Sequence, residues 1–320
     1  MPYIRLLKND DLQQVNGIIS RAFTQGRIDD GYSHSHVPMC RPEFLKMYQA
    51  QCPQGCFVLE EAEQIRGAAF CHVWGKTGWI GPLAIAPEKH HLGLGKNLAQ
   101  EAIRFLQSSG CKTIGLETNP RSNRNIGFYG KLNFIPSVLS IDMIKPVSPV
   151  VTHSQDSPHR PVFFSRLSGN ARQNFYDHMS YLARATSSNI DYSPVVNAID
   201  LHRQGESIIF IRKGTPVAMA ILQTEPSLVD EQNALLRVIA FVAHPKTPDQ
   251  YFQFFLSDLL WLAKQNARDR ILIRLPLYFY RGFRILLANN YRVISSDLRM
   301  VLAGYPDSQD VPHFHFNRWV

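Results

Sequence analysis

The sequence predicts an α/β protein of the mixed-sheet, α+β kind, built as two tandem copies of one domain. Three observations predict it. A β-patterned run at 79–86 leads into the turn Pro87-Glu88-Lys89-His90-His91-Leu92-Gly93-Leu94-Gly95, which opens an amphipathic helix; this is the order in which a chain presents helix N-terminal N–H groups to an anion. Laying Ala84-Ile85-Ala86-Pro87 on Val242-Ala243-His244-Pro245 aligns the following helix with 249–267 and the strand 111–118 with 269–276, and Asn133-Phe134 falls, with a slip of one, on Asn290-Tyr291. Register kept over two helices and two strands marks an internal duplication. Between the copies, residues 146–161 hold four prolines with several Ser and His, the composition of a linker.

The elements follow in order. Asp10 or Asp11 is placed to cap a helix over 12–23, and the runs 56–61 and 67–74 read as strands. After the glycine turn come a regular helix, the strand 111–118 and a short helix in Asn125-Ile126-Gly127-Phe128-Tyr129-Gly130-Lys131-Leu132-Asn133-Phe134. Asn133 ends it, because Asn tolerates left-handed backbone. The second copy reads as a helix over 169–185, then strands 207–212 and 216–223 about Lys213-Gly214-Thr215. The expected divisions are 1–145, a linker 146–161, and 162–320.

Composition narrows the function. With 320 residues, 45% of them hydrophobic, the chain can bury full cores. No apolar run approaches the ~20 residues of a membrane span, and the start Met-Pro-Tyr-Ile-Arg-Leu-Leu-Lys is too short and charged for a secretory segment, so a cytoplasmic protein without membrane contact is expected. Five cysteines, an odd number, read as free thiols in a reducing compartment. The net charge of +8 suits a polyanionic ligand, but the basic residues are spread over both halves without a Lys/Arg run, which disfavours nucleic acid. His34-Ser35-His36 with Cys40, and Cys52-x-x-x-Cys56, lack the paired spacing of a zinc site, so no metal is expected.

Gly93 and Gly95 let the main chain approach an anion closely, and the helix end adds unpaired N–H groups and a positive dipole. A Rossmann site fits less well, since Asn97 and Leu98 follow where its third glycine belongs. The order strand, glycine turn, helix, strand, tyrosine helix resembles the GCN5-related N-acetyltransferase (GNAT) family. Its turn motif is Arg/Gln-x-x-Gly-x-Gly/Ala and its later helix contributes Tyr-x-x-x-Gly-Phe. Here His90 stands at the Arg/Gln position and Asn133 at the last Gly. The resemblance covers 1–145, and with the repeat it implies a tandem GNAT fold.

It also implies acetyl-CoA as co-substrate and a site. Acetyl transfer from a thioester to an amine needs bound CoA, a neutral amine, a stabilised oxyanion and a proton for the leaving thiolate. Leu83, Ala84 and Ile85 would splay from the neighbouring strand, add the pantetheine arm like an extra strand and offer an N–H to the thioester oxygen. His91, Leu92, Gly93, Leu94, Gly95 and Lys96, with His90, would hold the pyrophosphate. Tyr129 aligns with the family's general acid, and Glu117 with the glutamate base of its ribosomal-protein and N-terminal-amine acetyltransferases; His72 is the competing base. Ser122 takes the place of the helix-opening Asn that contacts CoA, with Asn123 or Asn125 as a substitute and Ser122 then only a helix cap.

The second copy has lost the cradle: Tyr251 and Gln253 stand for Gly93 and Gly95, Pro248 and Asp249 for His90 and His91, and Leu286 for Tyr129. It is expected to shape the acceptor pocket, with residues 31–41 as another wall and the aromatic tail 313–319 packed back on the body. The expected function is N-acetylation of a small-molecule or protein amine by direct attack in a ternary complex, and a monomer suffices because the tandem mimics a GNAT dimer. Two rivals stand beside it: a non-catalytic acyl-CoA-binding regulator, which needs neither Tyr129 nor Glu117, and an aminoacyl-tRNA-dependent tandem-GNAT transferase, which needs no pyrophosphate cradle.

Overall fold

The computed structural model describes residues 2–148, 157–187, 189–231, 235–307 and 314–319. The expected linker thus lies partly outside the described residues, as does His313 of the tail. The first half runs β1 (Tyr3–Leu6), α1 (Leu12–Asp29), α2 (Pro42–Ala50), β2 (Cys56–Glu61), β3 (Gln64–Trp74), β4 (Thr77–Ile85), α3 (Leu94–Ser108), β5 (Thr113–Thr118), α4 (Asn123–Gly130) and β6 (Phe134–Pro146). The second runs β7 (Arg160–Phe163), α5 (Asn170–Thr186), α6 (Ser193–Leu201), β8 (Gly205–Arg212), β9 (Thr215–Gln223), β10 (Leu235–Ala243), α7 (Tyr251–Gln265), β11 (Arg270–Pro276), α8 (Tyr280–Ala288), β12 (Arg292–Leu302) and β13 (His315–Asn317). The repeat is structural: Asn133 and Asn290 end corresponding segments with φ of 66° and 62°, the left-handed conformation expected of them.

Among the described residues all thirteen strands form one sheet, ordered β1-β2-β3-β4-β5-β12-β6-β11-β10-β9-β8-β7 with β13 paired to β10. Its centre is an exchange. β12 of the second half bonds β5 of the first, with Arg299 opposite Glu117, and β6 of the first bonds β11 of the second, with Asp142 opposite Arg274. Strands β6 and β12 also pair with each other, so the halves cannot separate without breaking three ladders.

Side-chain alternation sorts the two faces. On one, α1, α2, α5 and α6 cover a core that crosses the halves, with Val15, Trp74 and Trp79 joined to Phe175, Tyr192 and Val196. On the other, α3 buries Leu94, Leu98, Ala102 and Leu106, a helical stripe, against the first half, and α7 does the same for the second with Phe252, Phe255, Leu259 and Leu262.

The tail packs back across the boundary. β13 adds antiparallel to β10, and beyond it Trp319 is 1% exposed, its ring against Gly115 of β5. A Cβ on Gly115 would lie 2.4 Å from the Trp319 ring, which is why no larger residue fits there. Burying one such ring stabilises by about 1.5–3 kcal/mol.

Candidate active site

Strands β4 and β5 pair in parallel only over Thr77–Trp79 with Thr113–Gly115. Beyond Trp79 they part, and the expected splay at Leu83, Ala84 and Ile85 opens into a cavity of 1240 Å³ lined by all three. Trp319 sits where the strands separate, beside Gly81 and Gly115.

The glycine turn closes one end. Gly93 is the N-cap of α3 at φ 76°, His91 is also left-handed at 65°, and a Cβ on Gly93 would meet nothing within 4 Å. The first backbone bonds of α3 run from Lys96 and Asn97 N–H to the Gly93 carbonyl. The N–H groups of residues 91–95 therefore have no backbone acceptor among the described residues, an open nest beside a helix N-terminus. His91, Gly93, Leu94, Gly95 and Lys96 line the cavity. His90 also lines it, but its ring Nε2 lies 3.0 Å from the Ile85 carbonyl, tying the turn to the end of β4.

Leu92 is 63% exposed and its side chain does not line the cavity, so only its main-chain N–H belongs to the nest. One expected contact is corrected. Ser122 is fully buried behind the start of α4 with Oγ unpartnered, so it faces the interior; Asn123, Arg124 and Asn125 line the cavity in its place. Asn125 Nδ2 reaches Thr118 Oγ1 at 3.5 Å.

Tyr129 lines the cavity from α4, its ring braced by Phe128 and Phe134 at 5.0 and 5.9 Å. Its hydroxyl makes no hydrogen bond among the described residues, and burial pushes its pKa up to about 12, so it stays protonated and able to donate.

Glu117 is brought to the cavity too, but not as a free base. Its side chain is wholly buried; Oε2 takes Arg274 Nη1 at 2.7 Å, and Oε1 takes Arg299 Nη2 at 2.8 Å together with the Ser140 hydroxyl. Burial alone would raise its pKa, and Arg299 and Arg274 overcome that and hold it below the usual carboxylate range. A carboxylate so held is a weak proton acceptor. His72 is no substitute: it is fully buried, stacked on Trp79 at 3.9 Å, with burial pushing its pKa down to about 3, and it does not line the cavity.

The ionic face that holds Glu117 was not foreseen. Arg274 grips Asp142 with two bonds of 2.8 and 2.6 Å and also meets Asp297 at 2.7 Å; Arg299 meets Asp307 at 3.0 Å and lies over the Trp319 ring at 3.8 Å. Asp142 is held at about 2, burial being overcome by Arg274. Asp297 differs. It is the least enclosed of the three carboxylates on Arg274, 26% exposed at the side chain, and burial raises its pKa. The one signal available was a charge inside an apolar strand, as in Ile141-Asp142-Met143 and Ile273-Arg274-Leu275, since such charges are buried only when paired.

The remaining wall joins the halves. Tyr32, Val37, Pro38 and Cys40 of the 31–41 loop line the cavity, and the loop is stitched to the second half where Arg41 N–H meets the Ser227 carbonyl at 2.8 Å and Cys40 bridges Leu228. The equivalent place in the second half is filled. Tyr251 stands at the start of α7, the N–H groups of Tyr251 and Phe252 bond back to Pro248 and Asp249, and a cavity of only 170 Å³ is left.

Comparison with known proteins follows this geometry. Residues 21–134 match the model of the acetyltransferase (GNAT) family. No curated protein matches the chain. Solved structures share the whole architecture at low identity. A candidate acetyltransferase from Pyrococcus horikoshii superposes with a TM-score of 0.68 at 14% identity, over 100% of this chain and 94% of that one. A tandem GNAT protein from the clavulanic acid biosynthesis pathway gives 0.63 at 11%, over 96% and 100%. A GCN5-related N-acetyltransferase from Sphaerobacter thermophilus gives 0.60 at 10%, over 96% and 97%. With the glycine turn and tyrosine helix inside the matched segment and the duplicated sheet around it, the first half carries a GNAT-family domain and the whole chain has the fold of a tandem of two GNAT folds.

Proposed function

We propose that the protein is an acetyl-CoA-dependent N-acetyltransferase in which the first half carries the chemistry and the second completes the acceptor pocket. The open nest at residues 91–95, beside an unobstructed Gly93, is the observation that carries this reading, because it fits a pyrophosphate and the equivalent turn before Tyr251 has its N–H groups bonded back on the chain. Bound acetyl-CoA supplies the activated acetyl thioester. His91, Gly93, Leu94, Gly95 and Lys96 would hold its phosphates, and the splayed edge of Leu83, Ala84 and Ile85 would pair with the pantetheine arm. Tyr129 would give its proton to the leaving sulfur, and its raised pKa keeps that proton in place at neutral pH. The acceptor, a small-molecule or protein amine, must lose a proton before it attacks. Asp297, not Glu117, is the carboxylate suited to take it, being less enclosed and more basic. The exchange of strands within one chain supports a monomer as the working unit.

The test is release of free CoA thiol from acetyl-CoA with a panel of primary amines. Turnover with any amine supports the transferase. Binding of acetyl-CoA without turnover across the panel returns the reading to a regulator, and turnover only with aminoacyl-tRNA returns it to that transferase class; the open nest argues against the second.

A further inference from the structure

Beyond the CoA end, the cavity runs under the ionic face of the sheet, where its charges are arranged unevenly. Arg274 has three carboxylates on it, and Arg299 has two together with Asn317. Arg237 of β10 meets Glu231 at 2.6 Å through Nη2, while its Nη1 is enclosed without a partner. Arg318 follows β13, its main chain fixed by a bond of 3.1 Å from its N–H to the Ile239 carbonyl. It lines the cavity, and its guanidinium has no hydrogen-bond or ion partner among the described residues. So one wall holds a carboxylate in excess at Asp297, and the adjoining wall a guanidinium in excess at Arg318. The two lie within each other's field.

An unpaired guanidinium in an enclosed pocket is costly unless a ligand pairs with it. A ligand answering both walls has an ammonium for Asp297 and a singly charged anion for Arg318. A planar carboxylate matches the fork of a guanidinium, and one uncompensated cation matches one negative charge better than the two of a phosphate. Phe44, Met47, Val195 and Ile199 line the same cavity and leave an apolar space for the rest of the molecule.

We propose that the acceptor is a zwitterion, a small amino acid with an apolar side chain, whose carboxylate is taken by Arg318 and whose amino group is received at Asp297. This rests on the acetyl-transfer reading and narrows it. Both specificity groups come from the second half, which gives that half a task its lost CoA cradle cannot.

The test uses the full chain with acetyl-CoA and matched acceptors: leucine and phenylalanine, their amides, their decarboxylated amines, and phosphoethanolamine. The free acids are expected to show kcat/KM about 10–100-fold above the amides and amines, the worth of one charge-assisted pair. Arg318→Met is expected to bring that ratio to within about threefold of one, chiefly through KM, and Arg318→Lys to restore part of it. If Arg318→Met fails to fold, the ratio in the unmodified chain and in Arg318→Lys still decides. Where no acceptor turns over, stabilisation of the CoA-bound protein against heat by the free acids, and not by their amides, is the expected result. Equal use of acids and amides, preference for phosphoethanolamine, or no stabilisation by any acid overturns the proposal. Turnover of amines lacking a carboxylate with kcat/KM equal to or above that of the free acids overturns it while leaving the acetyltransferase intact, whereas absence of acetyl-CoA binding overturns the underlying reading.

Discussion

Arg274, from the last third of the chain, meets Glu117 of the first half at 2.7 Å, with both side chains almost wholly enclosed. The contact exists because β6 and β12 have crossed between the halves and carry Asp142, Ser140, Asp297 and Arg299 into the same plane. Both halves are needed to keep Glu117 and Asp142 paired, because the arginines that meet them come from the second half.

Glu117→Gln should therefore act on stability. Removing the carboxylate leaves Arg299 with Asp307 and Asn317, and Arg274 with Asp142 and Asp297. Breaking a buried pair from one side costs about 3–5 kcal/mol. Denaturant unfolding should show that loss, while the pH profile of the remaining activity keeps its shape. A displaced acidic limb with unchanged stability would make Glu117 the base after all.

Asp297→Asn should do the reverse. Its raised pKa predicts that activity falls as acid protonates it. The substitution should lower kcat/KM by about 10²–10⁴-fold and remove that limb, leaving only the dependence due to the amine's own protonation. An unaltered profile would reduce Asp297 to a partner of Arg274.

Tyr129→Phe should lower kcat by about 10²–10⁴-fold with little change in CoA affinity, since only the proton for the leaving sulfur is lost. Steady-state turnover and a separate CoA titration check the two halves of that statement. Wild-type turnover would make Tyr129 a packing residue against Phe128 and Phe134.

Two buried histidines predict loss of stability in acid. Burial holds His72 and His315 neutral, each pushed from 6.5 down to about 3. Their folded-state pKa values are lowered, so the stabilisation is complete above about 6.5 and is lost as pH falls toward 3. From pH 7 to pH 5 each should cost about 2 kcal/mol. His315→Gln should flatten the slope of unfolding free energy against pH in that window; an unchanged slope in this variant and in His72→Gln would show that other groups set it.

The sequence made the local elements readable and left the long-range ones hidden. The strand over Cys56–Glu61, the glycine turn and the tyrosine helix follow from periodicity and residue type within a dozen positions. The exchange of β6 and β12 does not, because an apolar strand looks the same whichever half it pairs with. That is why Glu117 read as a free carboxylate at a strand end, when the two arginines neutralising it lie far along the chain. Ser122 failed for a related reason: a motif position fixes the backbone, and the turn of the chain into α4 decides which way the side chain faces.

The central claim is that one half binds CoA and the other shapes the acceptor pocket. Isothermal titration of the intact chain with CoA tests it most directly: the account predicts one site per chain, lost in Gly93→Tyr, which copies Tyr251. Two sites per chain, or one that survives Gly93→Tyr, would contradict it.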